Sequence, residues 1–560
     1  MSDSESLKGT IVPRASQPDL PMDRIIRSEA PDDEAVPMDV LFVGAGPAGL
    51  AGAIELARLV RKDAEEGGDL GEVEIGVLEK SAELGEHCLS GAVLKPGPFR
   101  ELFPELSDED FPFRGEVAKE AVYLMSEKGA RRIPTPPTMK NHGNRVASIC
   151  EVVRWMGEKA EELGVNVFPG FPVESLLVEG DGVIGVRTTP AGLDREGNPA
   201  GGYTPAMDLT ARVTVLSEGT RGLLTQGWLR WQEIPSENPQ IYALGVKELW
   251  EVDSPPEEII HTMGWPLPND AFGGSWLYPM GDNLVSLGLV VGMDYRDARL
   301  DVHELLQLMK LHPLFREILE GGEMVEWGAK TIPEGGYYAV PERRHGKGAL
   351  VVGDAAGYVD VPSLKGIHYA VQSGMLAARA IFQALKADDT SEAGLASYTR
   401  AVNDSFIMED LYRTRNMRLA FKDGFWKGGM KAGLMTVTGG RFPGKRVAVE
   451  EDAAEPRVLN GSAPAPPAPV DGLTISKVDA VFKSGNKTRD DIPSHLLVGD
   501  DVSPETAEFL THVCPAGVYE RDGDRLVVNA PNCVDCKATD VVGPRWTPRE
   551  GGSGPAYRRM

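Results

Sequence analysis

Val40-Leu-Phe-Val-Gly44-Ala-Gly46-Pro-Ala-Gly49-Leu50 is the stretch whose reading decides the fold. An apolar run of strand length, Met38 to Val43, stops at a cluster of glycines. From Ala48 to Val60 the apolar residues Leu50, Ile54 and Ala57 recur at helical spacing, and a second apolar run, Val73 to Leu78, ends at Glu79. Strand, tight turn, helix and strand make a β-α-β unit. In such a unit the first glycine permits the turn, the second lets a pyrophosphate approach the backbone, and the third lets helix and strand pack closely. The helix N-terminus offers free N–H groups and a positive dipole end to phosphate. Glu79 stands where a ribose hydroxyl needs an acceptor. It lies beyond the usual interval of ~20 residues, and the Gly- and Glu-rich stretch 64–72 accounts for this as a lengthened crossover.

Two distant elements turn the reading from a generic dinucleotide towards FAD. Gly353-Asp354-Ala-Ala-Gly357 follows the apolar run Ala349–Val352 and puts a carboxylate where a ribityl chain could donate to it. Pro362 to His368, including Gly366 and Ile367, then opens a helix whose N-terminal amides would face the pyrimidine edge of a flavin and favour its reduced anion. Glu218-Gly219-Thr-Arg221-Gly222, after the apolar run Val213–Leu216, is a third turn near phosphate or flavin. Alone, Asp354 would read as a helix N-cap; with the other two elements it points to the cofactor.

The 560 residues suffice for several domains, and 42% hydrophobic with 25% charged residues is ordinary globular composition. A net charge of −26 excludes a nucleic-acid partner and opposes broad attraction to an anionic membrane. No apolar run reaches the length of a membrane-spanning helix, and the N-terminus lacks the apolar core of a secretory signal. A reducing, cytoplasmic setting is expected. Residues 1–36 read as a mobile tail, 240–300 as a separate antiparallel sheet, 395–421 as charged helix, and 448–472 as a Pro/Ala linker.

The module after the linker, 473–560, holds Cys514-Pro-Ala-Gly and Cys533-Val-Asp-Cys536, three of the five cysteines. A Cys-x-x-Cys loop with a third thiolate from elsewhere can close on an iron–sulfur cluster. Zinc needs four ligands and no His lies near Cys533 in sequence. A redox dithiol would leave Cys514 unexplained. Cys88 and Cys150 read as ordinary buried thiols.

At this point the chain resembles the electron-transfer flavoprotein–ubiquinone oxidoreductase family, over nearly the whole length from Val40 to Met560. The likeness rests on His87-Cys-Leu-Ser-Gly-Ala-Val-Leu94, Asn141-His-Gly-Asn144, Tyr242-Ala-Leu-Gly-Val-Lys-Glu-Leu-Trp250 and His261-Thr-Met-Gly-Trp-Pro-Leu267. It continues in Gly273-Gly-Ser-Trp-Leu-Tyr278, Val361-Pro-Ser-Leu-Lys-Gly-Ile-His368, Cys514-Pro-Ala-Gly-Val-Tyr-Glu520 and Glu550-Gly-Gly-Ser-Gly-Pro-Ala-Tyr557.

The resemblance implies a Rossmann-like α/β FAD-binding domain (37–222 and 341–447, the latter with a helical membrane-surface segment). It adds an antiparallel-sheet quinone-binding domain (223–340) and an α+β ferredoxin-like iron–sulfur module (473–560). It places FAD contacts also on Ala45, Pro47, Ala48, Lys80, Ser90, Gly91, Ala92 and Val173, and backbone contacts to the quinone head on Gly273 and Gly274. It implies electrons passing from reduced electron-transfer flavoprotein through cluster and FAD to a membrane quinone, with no proton-abstracting residue. The expected site of work is the cytoplasmic face of the cell membrane, held peripherally. A single-flavin reductase of the wider superfamily and a docking subunit without quinone chemistry are the alternatives.

Three departures stand out. The family's fourth cysteine position is Thr539, so the expected cluster is [3Fe-4S], or [4Fe-4S] with oxygen from Thr539, Asp540, Asp535 or water, a harder ligand than thiolate. Asp354 stands where the family often has cysteine. Ile133–Lys140 is shorter and more polar than expected of a membrane-facing loop, whereas Phe425–Val437 stays amphipathic, with Phe425, Trp426, Met430, Leu434 and Met435 able to enter the interface.

Overall fold

In the computed structural model, which describes residues 9–459 and 464–560, the fingerprint run is the strand Val36–Val43. It lies between Ile75–Glu79 and Asp208–Leu216, parallel to both. Residues 40–43 are buried without alternation, as expected of a parallel strand covered on both faces. Asn166–Pro169 extends the sheet in parallel beyond Ile75–Glu79. On the other side Asp208–Leu216 divides its pairing: its last residues run parallel with Ala349–Val351, its first antiparallel to Gly182–Thr188. The helices Pro47–Glu65 and Ile367–Lys386 pack against each other, and Gly374 allows it, since a Cβ there would meet the Ala48 carbonyl oxygen at 2.2 Å. This contact brings the N-terminal ends of both helices to the same edge of the sheet.

A second, seven-stranded sheet runs in the order 323–333, 242–251, 284–292, 273–281, 259–264, 120–126 and 129–133. Every neighbouring pair is antiparallel except 259–264 with 120–126. The hairpin 120–133 comes from the segment 37–222 that sequence reading assigned wholly to the FAD-binding part. Nothing local marks this exchange, because a strand's partner is chosen by tertiary packing.

The N-terminal stretch also departs from the expected tail. Thr10–Ile11 pairs with Arg457–Val458, Ile26–Arg27 pairs with Leu176–Leu177, and Ile25 is fully buried. Scattered apolar residues in a polar stretch, too few for a periodic signal, find cover on the folded body. Residues 1–8 lie outside the described residues, as do 460–463 of the expected linker. The earlier part of that linker is packed: Arg457 is fully buried and donates to the carbonyls of Asp452, Met293 and Tyr295.

The last module contains helices Lys477–Lys483, Pro504–Val513 and Ala538–Val542, a hairpin of Tyr519–Asp522 with Arg525–Val528, and the pair Leu496–Leu497 with Arg545–Trp546. Its Phe509, Leu510 and Val513 share one apolar core with Leu287 and Trp327 of the seven-stranded sheet. Among the described residues no helix is long and apolar enough to cross a membrane.

Candidate functional site

A cavity of about 370 Å³ opens at the sheet edge where the two helix N-termini meet. Gly44, with φ at +109°, makes the turn, and a Cβ on it would lie 2.5 Å from the Ser217 carbonyl oxygen. A Cβ on Gly49 would lie 2.1 Å from the Gly44 carbonyl oxygen, so this glycine is what lets helix and strand close up. Gly46 differs: nothing lies within 4 Å of where its Cβ would be, and the residue lines the cavity. It N-caps the helix without a side-chain partner, so the first amides stay free for a phosphate.

Glu79 lines the same cavity; it accepts from the Ala45 N–H at 3.0 Å and from the N–H and hydroxyl of Ser81 at 3.0 and 3.1 Å. Lys80, Ser90, Gly91, Val173, Gly219, Gly353, Gly366 and Ile367 line the cavity too, as do Pro47 and Ala48.

Two groups in the wall lack partners. The Asp354 carboxylate has no side-chain hydrogen bond among the described residues, and burial pushes its pKa up to about 6, against the pull of Lys330. His368 is buried with neither ring nitrogen bonded, and burial holds its pKa well below the usual imidazole value. Buried polar groups are normally paired, so the buried His368, and beside it the half-buried Asp354, mark wall positions that a polar ligand would satisfy. With the open side of Gly46, they fit FAD.

Other expected contacts are differently employed. Glu218 borders the cavity, but its carboxylate caps the helix Leu223–Trp231, accepting from the N–H groups of Leu224 at 3.1 Å and Thr225 at 2.8 Å. Arg221 turns away from the cavity and binds Asp540 Oδ2 at 2.8 Å. Ala45, Gly49, Ala92, Gly357 and Pro362 are not in the lining; Pro362 lies in the turn Val361–Ser363, whose neighbours Leu364 and Lys365 are. Gly273 and Gly274 are held in the second sheet, outside the lining, on the strand that sends Trp276 and Tyr278 into the wall.

The three cysteines converge. Cys514, Cys533 and Cys536 line a second cavity of about 20 Å³ together with Tyr519 and Thr539. Burial raises all three thiol pKa values, that of Cys533 to about 12. A cationic iron–sulfur centre would reverse that cost, because a bound metal ion holds its thiols deprotonated. Thr539 takes its place in the wall, its Oγ1 3.3 Å from the Tyr519 hydroxyl.

Asp540 does not. Besides Arg221, it accepts from the Trp546 N–H at 3.1 Å, so both its oxygens are committed elsewhere. Asp535 is likewise engaged, by Lys80 at 2.6 Å and by Arg549 and the Trp546 indole N–H, each at 2.9 Å; these cations hold it well below the usual carboxylate range.

Lys537 and Trp546 line both cavities, and the Lys537 ammonium lies 3.1 Å from the centre of the Trp546 ring. Burial brings the Lys537 pKa down to about 7. Sequence reading missed this partition, and missed Lys330 and His87 of the first cavity. Isolated Lys, Trp and His residues carry no spacing signal; only Lys537, adjoining Cys536, was within reach of the motif.

A family model described as "ETF-QO, ubiquinone-binding" matches residues 242–332, and one described as "Electron transfer flavoprotein-ubiquinone oxidoreductase, 4Fe-4S" matches 471–558. The mitochondrial electron transfer flavoprotein-ubiquinone oxidoreductase of Oryza sativa subsp. japonica is 37% identical over 94% of this chain and 94% of its own length. The enzyme of that name from Pseudomonas aeruginosa is 37% identical over 94% of this chain and 100% of its own. The human mitochondrial protein is 35% identical over 93% and 89%.

Among solved structures, a geranylgeranyl bacteriochlorophyll reductase-like protein from Thermoplasma acidophilum is 20% identical, with a TM-score of 0.55, over 73% of this chain and 92% of its own. At that identity the likeness speaks for the fold alone. The near full-length matches, with both family models falling on the sheet and the cysteine module described above, show that the chain belongs to the electron transfer flavoprotein–ubiquinone oxidoreductase family.

Proposed function

We propose that this protein is an oxidoreductase that accepts electrons from reduced electron-transfer flavoprotein and passes them, through an iron–sulfur cluster and FAD, to a membrane quinone. The observation that carries the reading is the shared wall: Lys537 and Trp546 border the dinucleotide cavity on one side and the cysteine cavity on the other. Bound FAD and cluster would supply the electron exchange.

The chain's residues position those groups. Gly46 and the free amides of its helix receive the pyrophosphate, Glu79 the ribose, and Asp354 the ribityl hydroxyls. The N-terminus of Ile367–Lys386 puts a positive dipole end at the flavin cavity. Cys514, Cys533 and Cys536 supply three thiolates to the cluster. Thr539, rather than the committed Asp540, stands at the remaining corner, where its oxygen would hold the fourth iron of a [4Fe-4S] cluster or face the empty corner of a [3Fe-4S] cluster.

Gly273 and Gly274 receive the quinone head through their backbone groups. In support, the loop before them adjoins the amphipathic helix Phe425–Thr438: the Phe425 N–H donates to the Asn269 carbonyl at 3.0 Å, and the Phe272 and Phe421 rings lie 4.9 Å apart. That helix exposes Trp426, Met430, Leu434 and Val437 in one stripe, suited to a shallow seat in a bilayer at its cytoplasmic face.

The test is an iron count and EPR on the purified flavoprotein, with quinone reduction by reduced electron-transfer flavoprotein. A signal in the oxidised protein identifies [3Fe-4S], and one that arises on reduction identifies [4Fe-4S]. Normal quinone reduction by a flavin-loaded, iron-free protein would sink the relay.

A further inference from the structure

The segment 424–449 stands apart from the rest of the chain in its charge. It carries Lys427, Lys431, Arg441, Lys445 and Arg446 and no acidic residue, within a chain whose net charge is −26. All five cations are exposed, and they lie on the helix Phe425–Thr438 or in the segment that follows it. Lys427 and Lys431 each come one residue after a member of the exposed apolar stripe, Trp426 and Met430. One residue is about 100° of rotation, so both lysines fall on the same flank of the stripe.

The turn after the helix is fixed in place. The Gly440 N–H donates to the Met435 carbonyl at 2.8 Å and the Phe442 N–H to the Thr438 hydroxyl at 3.1 Å. The side-chain amide of the buried Asn416 donates to the carbonyls of Pro443 at 3.1 Å and Lys445 at 2.9 Å. Arg441, the exposed ring of Phe442 and Lys445 are thus presented together at the C-terminal end of the helix. Ion pairs do not consume this charge. Lys431 pairs with Asp423 and Arg446 donates to the Glu237 carbonyl, but among the described residues Lys427, Arg441 and Lys445 have no ion-pair partner. Other acids of the neighbouring sequence are taken, Glu409 by Arg413 and Glu455 by Lys422.

We infer that Lys427, Arg441 and Lys445 form a basic collar that seats this helix on anionic phospholipid headgroups, so that its membrane partner is an acidic bilayer surface. The inference rests on the membrane seat proposed above and adds the lipid chemistry that the seat selects. A long basic side chain beside an apolar stripe lays its stem along the bilayer boundary and keeps its charge at headgroup depth. There an anionic leaflet attracts each cation, whereas a zwitterionic one offers no net charge to attract it. The acidic remainder of the molecule does not cancel the collar, because exposed charges more than about 8 Å away are largely screened at physiological ionic strength.

Cosedimentation of the flavin-loaded full chain with vesicles tests this, using phosphatidylcholine alone or equal parts of phosphatidylcholine and phosphatidylglycerol. Three cations near an anionic surface are expected to raise partitioning about 10²-fold over the neutral vesicles, and added salt should erase the difference. The combined variant Lys427→Gln, Arg441→Gln and Lys445→Gln should bind both kinds alike, at the wild-type level for neutral vesicles. A control that combines Arg61→Gln, Lys62→Gln and Arg525→Gln, exposed on other elements, makes the same change in net charge and should keep the wild-type preference. Equal wild-type binding to both vesicles, or a preference that survives in the collar variant or vanishes in the control, would overturn the inference. Wild-type protein that binds neither kind would instead overturn the membrane seat on which it stands.

Discussion

Gly44 joins two constraints in one residue, a positive φ and a carbonyl 2.5 Å from where a Cβ would sit. Gly44→Ala is therefore expected to cost about 1–3 kcal/mol from the backbone conformation alone, and more from the clash. Chemical unfolding of the flavin-free protein measures the summed cost, and the purified variant is expected to carry less flavin by its absorbance; full flavin loading would contradict the assignment. Thr539 poses the opposite case, a residue whose neighbours are ready for a different side chain. It shares the cysteine cavity with Cys514, Cys533 and Cys536. Thr539→Cys is expected to raise iron bound per flavin and slow its loss to a chelator, since thiolate is the softer ligand. If iron content and chelator resistance stay at wild-type levels, Thr539 does not face the metal.

At the scale of elements, the helix Phe425–Thr438 divides its apolar residues between two surroundings. Met435 is buried against Met417 and Ala420, and so is unavailable to a membrane, while Trp426, Met430, Leu434 and Val437 stay exposed. Sequence spacing placed Met435 on the outer stripe and left Val437 off it as a contact. Each fully buried apolar side chain is worth about 1.5–3 kcal/mol. Replacing Trp426 and Val437 together by Ser should therefore cut partitioning onto phospholipid vesicles by more than about tenfold. Cosedimentation measures this, and soluble one-electron turnover should persist. Vesicle binding unchanged in the double variant would assign the stripe to another partner.

At the scale of the whole molecule, the cysteine module is tied to the flavin half by buried charge. Arg221 follows a strand of the first sheet and ends on Asp540, while Lys80, at the end of another, ends on Asp535. Removing one partner of a buried pair costs about 3–5 kcal/mol, because the other charge is left uncompensated. Arg221→Ala should thus loosen the module before the rest unfolds. Limited proteolysis would show earlier cleavage between residues 464 and 475 with flavin still bound. A single cooperative transition at the wild-type midpoint would mean that Asp540 finds another cation, with Lys537 and Arg545 the nearest candidates.

What could be read without coordinates were the features with a fixed local spacing. The fingerprint Gly44, Gly46 and Gly49, the acceptor Glu79 and the loop of Cys533 and Cys536 are of this kind, since each obeys geometry spanning one turn or one strand. The convergence of Cys514 on that loop was already less local, and only the clustering of three cysteines in one module pointed to it. Tertiary structure alone decided the hairpin 120–133 in the second sheet, the commitment of Arg221 and Asp540 to each other, and the packing of residues 10–27. It alone also decided the Lys537–Trp546 partition. Those depend on which surfaces bury against which, and a lone Lys, Trp or Arg leaves no period in the chain by which such a choice could be foreseen.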